Sequence, residues 1–561
     1  MKDLFYVCAQ PASYYYSWQV DAMLLSFKEN GDVHLNNVHI VCATFNGNGP
    51  DPWFLKVEEK WAKEGVIFEY YQDTRPKRGY ISSIRPHILE KHWQKYPWLV
   101  EKTIMYHDCD IALARPIPMY DKMSEGLEKT CFVSDTISYI GAKYIMGKGH
   151  NLLEEMCEIA QISPNLVKMK ESESGGAQYL LKPGIDITFW QEVYHLSEDL
   201  FTKITKRVNE IKKEEPEWHT LQIWCADMWA VLWTLWKRGY ETPCSPDLDF
   251  TWGTQTKKDW DKNAIYHNAG VVKEEIANDV AGPFYKALYM VNPPITSNRP
   301  GKLWASENYF DLILRSYNDT AGIDRELQGI SVVTLTWRRQ ELLQEAIHSF
   351  LLQEDPKAEM VIVNDDPEVS YYVEDEYVKR GVRIINTKQK FKTFMSKLKF
   401  AFEQANYEYA YRLDDDDLLD ENALKIARAE ITANPGKDIY HSESHWFVNM
   451  IHPEQNGISG GINNGNILSR DFVQKLDWKN APEPPGEDQW YYRDSHAIHH
   501  TWTEPTMLYR WAASQYSLTH KKKEHTIDEF ADVKTQLKNS QKGKVLLNPG
   551  FREDWYSKKV L

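Results

Sequence analysis

The 561-residue chain contains no apolar run of the roughly eighteen residues that a membrane helix needs, no basic stretch opening into an apolar one, and no lipidation pattern at either end. Membrane-spanning and secreted proteins are therefore not expected, and a cytoplasmic setting is, that of a bacterial host if the gene is viral. Cysteine is scarce: seven residues, an odd number, with no Cys-x-x-Cys pair. That argues against a disulfide scaffold, structural zinc and thioredoxin-like chemistry, and for reduced thiols packed as small core residues. Histidines such as His87 and His92 lack ligand spacing with an acid, which disfavours a two-His-one-carboxylate oxygenase. An excess of positive charge is also missing. The formal net charge is −15 and the isoelectric point about 5.7, which counts mildly against duplex DNA as a partner.

Acidic residues, by contrast, are concentrated at Asp414-Asp415-Asp416-Asp417, directly after the strand-like Tyr411-Arg412-Leu413. Adjacent carboxylates repel one another, so a cation is expected among them, and Mg²⁺ or Mn²⁺ suits hard oxygen ligands. In an extended segment alternate side chains share a face, which would point Asp414 and Asp416 together. The alternative is a solvated turn capping the helix that begins near Asp420 to Ala423. Upstream, Ile330 to Thr336 reads as a buried strand, and Leu342, Leu343, Ala346, Ile347, Phe350 and Leu351 carry helical spacing. Met360 to Val363 and Val382 to Ile385 are further strands. Strand, helix and strand in alternation predict a parallel α/β sheet with its ligands beyond the carboxyl ends of the strands, where Thr336, Asp365, Asp366 and the Asp run all fall.

Residues 329–520 resemble the inverting GT-A glycosyltransferases of the cellulose and chondroitin synthase type. The resemblance rests on the strand ending in Thr336 and Arg338, Val-Asn-Asp-Asp at 363–366, Asp-x-Asp at 414–416, Gly460 to Asn466, and Gly486-Glu487-Asp488. It implies donor contacts from Thr336, Arg338, Asp365, Asp366, Asp414 and Asp415. It also implies metal ligation by Asp416, with His520 as a third ligand, and acceptor contacts from Gly461, Asn464 and Glu487. Asp488 would be the general base. Lys388, Lys390, Lys392, Lys397 and Lys399 depart from the family pattern and read either as phosphate contacts or as a solvated helix face. No Gly-rich, Lys-bearing phosphate loop follows either candidate first strand, which disfavours a nucleotidyltransferase, the other class that pairs acids with Mg²⁺.

The first half repeats this organisation without close residue identity. Leu4 to Ala9, Val38 to Ala43 and Val66 to Tyr71 read as strands, and Thr103 to Leu113 reads as one apolar strand delivering Asp108-Cys109-Asp110. Through Tyr16-Ser17-Trp18-Gln19, Leu25-Ser26-Phe27, the Asp-x-Asp and His267, this half loosely resembles hydroxyproline arabinosyltransferases and serine galactosyltransferases. That resemblance implies a metal on Asp108, Asp110 and His267. Asp227, on an aromatic helix, would be base or acceptor contact, and Gly175, Gly176 and Gln178 would lie near the acceptor.

The expected fold class is α/β, two GT-A-like nucleotide-sugar domains with mostly parallel sheets. Domain 1–290 would be followed by a linker 291–328 containing a short helix near Glu307 to Arg315, then domain 329–520 and a weakly basic tail 521–561. The expected activity is a bifunctional, metal-dependent transfer from nucleotide-diphosphate sugars, chiefly UDP-sugars, with Mn²⁺ or Mg²⁺. Hexosyl and pentosyl transfer both remain open. The acceptor would be a hydroxyl of a saccharide or, as an alternative, a hydroxymethylated phage DNA base. A single active C-terminal transferase with an acceptor-binding N-terminal domain is the other arrangement compatible with these motifs.

Overall fold

A computed structural model describes residues 4–119, 121–272, 282–291, 294, 299–323, 328–353, 355–387, 389–449, 457–460, 465–482, 487–494 and 496–511. Two compact units result. Of the described residues, the first comprises those up to 272 together with 282–291 and 300–321, and the second includes those from Gly322 to 511.

In the first unit the strands are β1 (Leu4–Pro11), β2 (Val38–Thr44), β3 (Ile67–Gln72), β4 (Thr103–His107), β5 (Ile111–Leu113), β6 (Phe132–Asp135), β7 (Gly175–Leu181), β8 (Phe250–Trp252) and β9 (Ile265–His267). Six of them form a sheet in the order β3-β2-β1-β4-β7-β6, with β7 antiparallel to both neighbours. Continuous apolar runs suit a sheet covered on both faces. Phe5, Val7 and Ala9 face a core shared with helices Ile84–Lys95, Ile187–Glu214 and Ala226–Lys237. On the opposite face Tyr6 packs on Phe27 of helix Tyr14–Glu29.

Helix Ser306–Thr320 falls where the sequence suggests a linker, yet it belongs to this unit. Its Tyr317 ring stacks on Trp53 at 4.3 Å, and Thr320 Oγ1 donates to the buried Asp21 Oδ2 at 2.6 Å. The linker expectation failed here because the apolar stripe of this helix was visible in the sequence while the surface that buries it was not.

The second unit contains β10 (Ile330–Thr336), β11 (Ala358–Asn364), β12 (Val382–Asn386), β13 (Tyr409–Arg412), β14 (Leu418–Leu419), β15 (Ile439–Ser442), β16 (Ser444–Asn449), β17 (Gly457–Gly460), β18 (Ile467–Ser469), β19 (His499–Trp502) and β20 (Met507–Trp511). Its main sheet runs β12-β11-β10-β13-β18-β15-β19. The first six strands repeat the wiring of the first unit: three parallel strands leading to a fourth, then an antiparallel strand, then an earlier strand antiparallel to that one. Val332 and Met360 pack against helices Gln340–Leu351 and Ala423–Ala433, whereas Val333 and Val361 pack against helix Phe394–Glu403, so both faces are covered. The α/β class with parallel-rich sheets is thereby established for both units. All seven cysteines are free thiols. Among the described residues no helix is long and apolar enough to cross a membrane.

Candidate functional site

Each unit carries an acidic turn between its fourth strand and a short strand of a second sheet. In the first unit, β4 ends at His107 and the chain turns through Asp108-Cys109-Asp110 into β5. Strand β5 pairs antiparallel with β9, setting Ile111 opposite His267. That ladder carries a late histidine to an early acid pair. His267 Nε2 lies 3.3 Å from Asp110 Oδ1 and 3.6 Å from Asp108 Oδ2, and ligand atoms of all three residues fall within 4.8 Å of one another. Two carboxylates and an imidazole make a donor set that suits Mn²⁺ or Mg²⁺, so the residues present fit the ion that the sequence implies.

Cations of the chain surround the same acids. Arg85 Nη1 donates to Asp108 Oδ1 at 2.6 Å, and Lys286 pairs with Asp110. Burial opposes charge on Asp110, but Lys286 and His267 outweigh it and hold the carboxyl well below its usual range. Gln178 Nε2 sits 3.4 Å from His267 Nδ1 on the side of the ring away from the acids.

Asp227 opens helix Ala226–Lys237. Its Oδ1 accepts from Tyr80 Oη at 2.7 Å and its Oδ2 is 3.5 Å from Arg85 Nη1, so one guanidinium bridges Asp227 and Asp108. Burial dominates at Asp227 and raises its pKa, the condition a general base needs. Asp108, Asp110, His267, Arg85 and Lys286 line a cleft of about 500 Å³ together with Tyr15, Tyr16 and Trp224.

Gly175 and Gly176 sit on β7. A Cβ on Gly175 would meet Ser134 O and Val133 Cγ2 of β6 at 2.3 Å, so that glycine permits strand packing at the bulge between Val133 and Asp135. At Gly176 the neighbours are the ends of Tyr179 and Met228.

In the second unit Asp414 to Asp417 form a turn, with Asp417 N donating to Asp414 O at 3.0 Å, and not an extended strand. Alternation therefore fails, and Asp417 joins Asp414 and Asp416 in a group of ligand distance. Asp415 is turned inward, wholly buried, on Arg339. Arg339 Nη1 also reaches Asp416 Oδ2 at 2.6 Å, and Arg412 Nη2 lies 3.4 Å from Asp414 Oδ1. Strand β14 pairs antiparallel with β20, repeating the β5–β9 ladder, and delivers Arg510, whose backbone N donates to Asp417 Oδ1 at 2.9 Å. A guanidine-bearing residue thus stands near the place that His267 holds in the first unit.

Asp365 and Asp366 lie beyond β11 as expected, but protein groups already meet them. Lys397 Nζ donates to Asp365 Oδ1 at 2.6 Å and to Thr336 O at 2.7 Å, Phe391 N donates to Asp365 Oδ2 at 3.2 Å, and Arg338, at φ +54°, pairs with Asp366. Lys397 is neither a phosphate contact nor a solvated face; it is a buried counter-ion. Lys390 rests over the Trp337 ring at 4.2 Å, and Lys399 pairs with Glu403 on the surface. Asp488 and Glu487 belong to helix Glu487–Tyr492, with side chains outside the described residues, as are Lys388, Gly461, Asn464, His520 and the tail.

Residues 331–442 match the family model described as glycosyl transferase family 2. The matched stretch spans β10 through β15 and includes the Asp run. No curated protein sequence matches the chain. Among solved structures, TarS 1–349 of S. aureus in complex with UDP-GlcNAc is 14% identical, covering 41% of this chain and 73% of that one at a TM-score of 0.28. Mannosyltransferase PcManGT from Pyrobaculum calidifontis, in complex with GDP-Man and Mn²⁺, is 15% identical over 41% and 69% of the two chains at a TM-score of 0.25.

The residues that sequence reasoning missed are the cations: Arg85, Lys286, Arg339, Arg412 and Arg510. None lies at a diagnostic spacing from the acid it meets.

Proposed function

We propose that both units transfer sugar from a nucleotide-diphosphate sugar to a hydroxyl acceptor, each at its own acidic turn. The observation that carries this is the recurrence of one wiring with one acidic turn in one place, in the second unit within a glycosyl transferase family 2 domain.

In the first unit the acceptor hydroxyl approaches Asp227. The oxygen bonds to the anomeric carbon as the bond from that carbon to the diphosphate breaks, the nucleoside diphosphate leaves with the electron pair, and Asp227 takes the proton. Arg85 and Lys286 stand where they can follow the charge that develops on the leaving group. A Mn²⁺ or Mg²⁺ ion held by Asp108, Asp110 and His267 would neutralise that diphosphate when bound.

In the second unit Asp414, Asp416 and Asp417 would hold the ion, with Arg339 beside them, and Asp488 is the proposed base. Lys397 leaves Asp365 committed to the protein, so donor recognition there rests on Arg338, Asp366 and backbone beyond β11. The donors favoured are UDP-sugars, and a saccharide is favoured as acceptor over modified DNA because the molecule is acidic.

The test is nucleotide release from a panel of UDP- and GDP-sugars with Mn²⁺, using Asp110→Asn and Asp416→Asn separately. Each variant should abolish one activity and spare the other. If Asp110→Asn spares every transfer, the first unit only binds, and the single-site arrangement holds.

A further inference from the structure

The first unit's cleft contains an aromatic surface that the chemistry above does not use. Trp224, on the turn just before helix Ala226–Lys237, is 59% exposed although it lines the cleft with the acids. Its ring is backed by Tyr139, nearly parallel at 25° with centroids 6.3 Å apart, and Tyr139 meets Trp252 edge-on at 6.1 Å. Ile81, 79% exposed, lines the same cleft. Large apolar side chains left open in a cleft mark a place where a ligand supplies the missing contact.

The Trp224 backbone is fixed to the base. Tyr80 Oη lies within hydrogen-bond reach of both Trp224 O and Asp227 Oδ1, so one phenol with a single proton to give ties the Trp224 backbone to the carboxylate. Tyr80 is itself 2% exposed, its ring stacked on Phe201 at 4.5 Å. Arg85, which bridges Asp227 and Asp108, lines the same cleft as Trp224, so a ring on the indole and a hydroxyl near these acids share one cavity. A pyranose or furanose ring matches both demands, since its C–H face packs on an aromatic plane while its rim offers hydroxyls to a carboxylate. A single-stranded nucleic acid also stacks bases on an indole, and the experiment below separates it from a saccharide.

We infer that Trp224, backed by Tyr139 and flanked by Trp252, is a saccharide-binding subsite that holds the acceptor's ring against Asp227. The inference deepens the transferase reading of the first unit and rests on it for the word acceptor.

The experiment uses the full-length chain and its Trp224→Ala and Trp224→Phe variants, with melting curves to establish that each is folded. Retention on an array of pentose, hexose and N-acetylhexosamine oligosaccharides is measured beside anisotropy of a labelled oligothymidylate. Wild type should retain one saccharide class, Trp224→Ala should weaken that retention at least tenfold, and Trp224→Phe should stay within about threefold. Mn²⁺-dependent binding of UDP-sugar should be unchanged in both variants. Absence of saccharide retention by wild type, equal retention by Trp224→Ala, or oligothymidylate binding that depends on Trp224 would each overturn the inference. Were Trp224-dependent retention found without any nucleotide release, the transferase reading would fail while the saccharide subsite stood.

Discussion

His267 Nε2 lies 3.3 Å from Asp110 Oδ1, a contact made by the β5–β9 ladder and by no local sequence relation. Asp110 is also met by Lys286, so the proposed ligand role of the imidazole can be tested without leaving that acid unpartnered. His267→Ala should therefore lower the first unit's Mn²⁺ affinity by at least about tenfold with little loss of fold. Titration with Mn²⁺, followed by paramagnetic resonance of the free ion, measures this, and the same variant should leave Asp416-dependent transfer intact.

Asp227→Asn should reduce transfer by the first unit roughly 10²–10⁴-fold. Burial raises the Asp227 pKa, so the acid limb of the wild-type rate should lie above the ordinary carboxylate range, with rate rising as pH climbs through it. The stability sign is opposite. Between the ordinary and the raised pKa the folded state binds more protons than the unfolded chain, so this group's contribution to stability declines as pH rises through that window. Asp227→Asn removes the decline, and its Tm at neutral pH should exceed that of wild type. Calorimetry from acid to neutral pH, paired with a pH–rate profile, reads both effects.

Asp21 ties three helices together. It is wholly buried and takes bonds from Lys60 at 3.0 Å, Trp61 at 2.8 Å and Thr320 at 2.6 Å. Asp21→Ala should destabilise the first unit by about 1–3 kcal/mol, since Trp61 Nε1 and Thr320 Oγ1 lose the acceptor they share while Lys60 keeps Ser316 O at 3.1 Å. Urea denaturation measures the loss, and Asp21→Asn should recover part of it.

Arg339→Met leaves the wholly buried Asp415 without its partner and should cost the second unit about 3–5 kcal/mol. Adding Asp415→Asn should restore most of that stability, a coupling that a double-mutant cycle resolves. An unchanged melting curve for the single variant would show that the pair contributes little.

Gly175→Ala should cost about 1–3 kcal/mol through the clash with Ser134 O and Val133, while Gly176→Ala, meeting only side-chain ends, should cost less. Neither cost should appear selectively as a raised KM for acceptor.

Strand identity and the acidic turns were legible in the sequence, because apolar runs ending in acids obey the rule for ligand sites at strand ends. Ile330–Thr336 and Thr103–His107 occupy their anticipated places. What remained hidden was pairing. Lys397 looks like one more surface lysine until helix Phe394–Glu403 turns it onto Asp365, and Arg85 gives no sign in sequence that it bridges Asp108 and Asp227. Asp417 was set aside by strand alternation, which lapses when the backbone turns. Such contacts depend on the packed fold, and spacing along the chain does not encode them.

The β5–β9 ladder also orders events during synthesis. Strands β1 to β4 can leave the ribosome and begin pairing while β9 is still untranslated, so the acids at 108 and 110 emerge long before their histidine. The strands of the six-stranded sheet are thus all synthesised before β9, and the three residues proposed as a ligand set come together only afterwards.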